Sequence, residues 1–115
     1  MAQQAGIYVW LDDIRDPNNL EVQKRFGSQP GMVWAKTVDD AIKLLEQGNV
    51  VFIDFDHDLG EENKDGYDLA KWIEQMAYEN KLKPFKWTVH SLNPSGAKMI
   101  EQAMRSAERF WEQQK

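Results

Sequence analysis

Apolar positions along the chain change period in a regular alternation. Residues 6–11, "GIYVWL", form a short aromatic and β-branched run, which predicts a strand that stops at Asp12-Asp13. The turn-forming stretch 16–19, "DPNN", leads into 20–27, a short helix closed by Gly27. "SQPG" turns the chain again into "MVWAKT" at 32–37, a second strand. Thr37 has the position of an N-cap, with Asp40 three residues on. From 38 to 48, Val38, Ala41, Ile42, Leu44 and Leu45 share one helical face, and Gly48 ends it. Residues 49–55, "NVVFIDF", are almost continuously apolar, as in a central parallel strand covered on both faces.

After a polar loop, "GEENKDG" at 60–66, a helical stripe of Leu69, Trp72, Ile73 and Met76 spans 67–82, with Asp65 as its cap. A fourth strand is expected at 84–91, "PFKWTVHS". "NPSG" then turns into a last helix over 97–113, whose buried face includes Ile100, Met104, Ala107 and Trp111. Trp10, Trp72 and Trp87 fall at positions that suit packing better than base stacking. The order βαβαβαβα predicts an α/β fold, a four-stranded parallel sheet of order 2-1-3-4 with helices on both faces. Ligands of such sheets bind beyond the carboxyl ends of the strands, where the strand order reverses.

Composition narrows the function classes. A chain of 115 residues suits one domain, 1–115, with one core. Its net charge of −5 disfavours non-specific DNA or RNA binding, which rests on basic surfaces. A small phosphorylated ligand held by a metal and an arginine remains compatible. The absence of cysteine excludes a disulfide framework, a Cys-based zinc site and a thiol nucleophile. No apolar stretch approaches the ~18 residues of a membrane span. The N-terminus lacks a basic-then-apolar pattern, so a cytoplasmic location without membrane association is expected.

Against this background the strand ends stand out. Asp12-Asp13 close the first strand, Asp56-His57-Asp58 the third and His90-Ser91 the fourth, all on one sheet edge. Strands about 4.8 Å apart would bring these carboxylates together, which is unfavourable without a cation. Asp12, Asp13, Asp56 and Asp58 are therefore candidate ligands of Mg²⁺ or Mn²⁺. Asp54 ranks below them, as a residue near the mouth, at a helix end or supporting the metal indirectly. His57 and His90 can exchange protons near neutral pH, ligate the metal, or orient an aspartate. Arg15 offers a guanidinium to phosphate oxygens, or pairs with a nearby acid. Ser91 and Asn93 can donate hydrogen bonds to a phosphate, although Asn93-Pro94 also reads as a turn and helix cap. The loop from Gly60 to Asp65 is placed to close over a ligand.

The alternation, the Asp12-Asp13 pair, Asp56 and Ser91 resemble a response-regulator receiver domain. More specifically, "WLDDIRDP", "DHDLG", "DGYDLA" and "VHSLNPSG", spread over residues 10–96, resemble the cyclic-phosphate processing receiver-like family. The resemblance implies a receiver-like (flavodoxin-like) domain that acts on cyclic phosphate ends or cyclic nucleotides. It departs from a true receiver in lacking a fifth strand with its phosphate-contacting lysine, and in adding His57 and His90. These departures favour a metal-dependent phosphoesterase with Asp56, His57 and His90 as catalytic residues and Arg15, Ser91 and Asn93 on the phosphate. The alternatives are a phosphoacceptor signalling domain using Asp56, and a binding module for a nucleotide or protein without catalysis.

Overall fold

The computed structural model describes residues 6–60 and 64–115. The elements are β1 (Ile7–Leu11), α1 (Leu20–Phe26), β2 (Val33–Ala35), α2 (Val38–Glu46), β3 (Val50–Phe55), α3 (Gly66–Tyr78), β4 (Lys86–Val89) and α4 (Pro94–Gln113). All strand pairs are parallel, in the order β2-β1-β3-β4. This is the receiver-like arrangement expected from the alternation, with β1 and β3 central. No helix among the described residues is long and apolar enough to cross a membrane.

Helix starts follow the caps. Asn19 accepts the N–H groups of Glu21 and Val22, and Thr37 accepts that of Asp40. Asp65 and Asp68 exchange hydrogen bonds as a capping box at the start of α3. Asn93 accepts from Gly96 and precedes Pro94 at the first helical position, so α4 starts three residues earlier than the apolar stripe suggests. Helix α3 ends at Tyr78 rather than 82, because Asn80 takes a left-handed φ of 58° that no helix continues through. Helix α2 ends at Glu46, and Gly48, at φ 88°, makes the turn beyond it.

The two sheet faces are unlike. Val9 and Leu11 of β1 and Ile53 and Phe55 of β3 face α2, α3 and α4, where Leu45, Leu69, Ile73, Ile100 and Met104 complete the core. Burying each such side chain stabilises the fold by about 1.5–3 kcal/mol. Trp72 and Trp87 pack against this cluster and Trp10 is fully buried, consistent with packing roles. The alternate residues, among them Tyr8, Phe52, Asp54 and Thr88, belong to the opposite face. Among the described residues only the helix α1 accompanies that face, and none of its seven residues is buried.

Candidate active site at the carboxyl edge of the sheet

The sheet register assembles the site. Leu11 lies level with Ala35 and Phe55, and Phe55 with Val89. The next residue of each strand extends the same ladder: Asp12 N–H donates to Ala35 O, Asp56 N–H to Leu11 O and His90 N–H to Phe55 O. Asp12, Asp56 and His90 are thus held side by side by backbone bonds. Potential ligand atoms of these three residues lie within 4.8 Å of one another.

Asp12 is fully buried and saturated with donors. Its Oδ1 accepts the N–H groups of Ile14 and Arg15, both at 3.0 Å. Its Oδ2 lies 3.1 Å from Arg15 Nη1 and 3.0 Å from His90 Nε2. Burial works against its charge, but bonds from His90, the Arg15 and Ile14 N–H groups and the Arg15 side chain outweigh it and lower the pKa to about 2. Asp56 has no comparable set. Burial and the neighbouring Asp12 charge raise its pKa, against the opposing pull of His90, the His57 N–H and Arg15. Arg15 Nη1 is 3.5 Å from Asp56 Oδ2, so one guanidinium spans both carboxylates. It rests over the Phe26 ring at 4.2 Å, and its own carbonyl accepts a bond from Trp10 Nε1 at 3.0 Å.

His90 is the hub. Its ring stacks on Trp10 at 3.8 Å, with only 5° between the planes. Nδ1 lies 2.7 Å from Asp54 Oδ1 while Nε2 meets Asp12. Desolvation favours the neutral ring, but bonds to Asp12 and Asp54 and the charges of Asp54 and Asp56 prevail and raise its pKa. On the sequence alone Asp54 ranks below the strand-end acids. Its role could have been found from parity: Asp54 shares a side with Asp56, and the β3–β4 register sets it level with Thr88, two residues before His90. The Trp10 platform and the Phe26 rest for Arg15 carry no comparable sequence signal.

The remaining candidates lie elsewhere. Asp13, adjacent to inward-facing Asp12, sets its carboxylate against Gly60, and it is not part of the Asp12–Asp56–His90 group. Asp58 is also outside that group; its side chain is 70% exposed and its Oδ1 lies 2.8 Å from His57 Nδ1. His57 sits between two helix starts, with Nε2 3.3 Å from Asp65 Oδ2 and Nδ1 3.4 Å from the Asn93 amide nitrogen. The Asn93 oxygen caps α4, and the Ser91 hydroxyl accepts the Asn93 N–H at 3.0 Å. The expected loop closure falls on a segment whose residues 61–63 lie outside the described residues.

The donor chemistry fits a divalent cation. Two carboxylates converge beside an imidazole, and even with His90 counted as charged alongside Arg15, Asp12, Asp54 and Asp56 leave one negative charge over. Oxygen donors suit Mg²⁺ and Mn²⁺, while the His90 ring has both nitrogens on carboxylates.

A parallel 2-1-3-4 sheet with acids at the ends of β1 and β3 defines a receiver-like domain. The cyclic-phosphate processing Receiver domain family matches residues 7–106, and the chain belongs to that family. No curated protein matches the chain.

Proposed function

We propose that this domain is a metal-dependent phosphoesterase of the cytoplasm that opens a cyclic phosphate on a nucleotide or RNA end. The observation that carries the reading is the Asp12–Asp56–His90 cluster spanned by Arg15, within a cyclic-phosphate processing family. Asp12 and Asp56 would hold Mg²⁺ or Mn²⁺. When bound, the cation would polarise the phosphoryl oxygens and lower the pKa of water.

The chain's own groups supply the rest. Arg15, which spans the two carboxylates, would present its guanidinium to the phosphate oxygens. Water attacks phosphorus, the bond to the 2′ or 3′ oxygen breaks, and that oxygen takes a proton. His90 is suited to give it: its bonds to Asp12 and Asp54 favour the protonated ring, and Asp54 holds that ring through Nδ1. His57, 13% exposed at the same edge, is the group left to take the proton of the attacking water. Ser91 and Asn93 stand beside His90 and His57 to orient the phosphate.

The test is turnover of the four nucleoside 2′,3′-cyclic phosphates with Mg²⁺ or Mn²⁺, in wild type, Asp56→Asn and His90→Ala. Metal-dependent opening lost in both variants is the expected result. No opening of any of the four, with metal binding confirmed, overturns the reading. Labelling of Asp56 by acetyl phosphate would then identify a phosphoacceptor domain.

A further inference from the structure

The sheet face opposite the core carries a groove of about 940 Å³ that runs up to His90 and Asp54. It exists because α1 is short and buries no side chain, so among the described residues nothing covers the floor made by Tyr8, Phe52 and Thr88. Tyr8 is 53% exposed, an unusual state for an aromatic in the central strand of a sheet, and its ring lies 5.5 Å from that of Phe52, tilted by 35°. The end of α1 and the 29–32 turn form one wall, and the chain from Val89 to Leu92 forms the other.

We infer that this groove receives the base and sugar of a nucleotide whose phosphate lies at the Asp12–Asp56–Arg15 cluster. This inference rests on the phosphoesterase reading and names the part of the substrate that reading leaves open. Three observations select a nucleoside. The groove is continuous with the phosphate site, since His90, Asp54 and Ser91 line it as well. Its volume lies within the range of small-ligand sites, about 300–1,000 Å³, and both long sides are walled by the chain. Its chemistry is complementary: exposed Tyr8 beside half-buried Phe52 offers a π-face, and Thr88, Gln29 and Ser91 offer polar atoms for a base edge or sugar. Although the chain is acidic overall, the only carboxylate among the described residues lining the groove is Asp54, already bonded to His90, and Arg25 at the rim is paired with Glu21 at 3.7 Å. Stacking on aromatic rings accepts every base, so the site favours nucleotides over base-free phosphates more than one base over another.

The experiment compares wild type with Tyr8→Ala, which removes the half-exposed ring, and Thr88→Trp, which fills the groove from an exposed position. Both are assayed on 2′,3′-cyclic AMP and on the base-free cyclic phosphate of ethylene glycol. Adenosine and adenosine 3′-monophosphate are also titrated while the resonances of Tyr8, Phe52 and Thr88 are followed. The expected result is a KM for the nucleotide about 10-fold higher in both variants, with kcat and the base-free reaction unchanged. Unchanged nucleotide KM in both variants overturns the groove and leaves the phosphoesterase standing. If no variant or wild type turns over any cyclic phosphate, the titration decides: shifts of the groove resonances on adding adenosine keep the nucleoside site without that activity, and their absence overturns it.

Discussion

The two histidines end neighbouring strands on one edge, yet they are built into different parts of the molecule. His90 belongs to the sheet. Its N–H continues the ladder to Phe55, its ring lies flat on Trp10 of β1, and its two nitrogens meet carboxylates from β1 and β3. His57 belongs to the helix starts. Its nitrogens meet Asp58 and the α3 cap Asp65, and its ring fills the space that Gly96 leaves in the first turn of α4. One ring is coupled to the charge of the site, the other to how α3 and α4 dock. A shared sheet edge therefore does not give shared chemistry; the elements that grip each ring decide it.

The widest separation of the two should appear in turnover. Replacing His90 by alanine removes the proposed proton donor and should lower kcat on a cyclic nucleotide by about 10²–10⁴-fold. That is roughly 3–5 kcal/mol of barrier. His57→Ala should lower kcat by roughly 10-fold, less than a full general base supplies, because a cation would itself lower the pKa of the attacking water and the ring is partly committed to the helix caps. Equal losses would erase the distinction and return both rings to equivalent proton-transfer roles.

Next come the glycines that let each helix approach the site. A Cβ at Gly66 would overlap the backbone carbonyl of Asp56, which the sheet ladder holds in place. Gly66→Ala should therefore destabilise by about 3 kcal/mol and weaken Mn²⁺ binding, read by urea denaturation and metal titration. A Cβ at Gly96 would overlap the His57 ring, which is a side chain able to swing aside. Gly96→Ala should cost only about 1 kcal/mol and reproduce the kcat of His57→Ala without altering metal affinity. A Gly96→Ala protein that also loses Mn²⁺ binding would show that the helix cradle and the acid cluster are one unit.

The same contrast explains what the sequence made legible. Strand order and the alignment of Asp12, Asp56 and His90 followed from alternation, because a parallel sheet brings successive strand ends to one edge. What alternation could not resolve was the direction of side chains beyond the last ladder bond. Asp13 and Asp58 have the same composition and spacing signal as Asp12 and Asp56, but each lies where the chain leaves the sheet and its side chain turns to another neighbour. Asp54 ranks below the strand-end acids because it lies two residues inside the strand, and the lateral position of His90 is what joins it to the site. The open face around Tyr8 was hidden for another reason. The pattern predicts that helices cover both faces, and the shortness of α1 matters only once the other three helices are seen to share one side.

The smallest effect, and the most direct probe of the charge around His90, is the pH dependence of stability without metal. The folded pKa of His90 lies above its ordinary 6.5, so its contribution is fully present below 6.5 and is lost as pH rises through the folded value. Asp12, lowered from 3.8 to about 2, contributes fully above 3.8 and loses that contribution as pH falls through about 2. With chelator present, both contributions are complete only between pH 3.8 and 6.5, and Tm should fall on the alkaline side of that window. His90→Gln should abolish that fall, since no imidazole remains to release the proton. Asp56, raised by burial and by Asp12, works in the same direction as His90: its contribution is present below 3.8 and lost as it ionises, so its charge opposes folding at neutral pH. Asp56→Asn should accordingly stabilise the metal-free protein at pH 7 by about 1 kcal/mol, roughly 4 °C in Tm. It should also shrink the alkaline fall, because the Asp56 charge is one of those holding the proton on His90. An alkaline fall that persists unchanged in both His90→Gln and Asp56→Asn would assign it to a group outside the cluster and break the coupling on which the contrast between the two histidines rests.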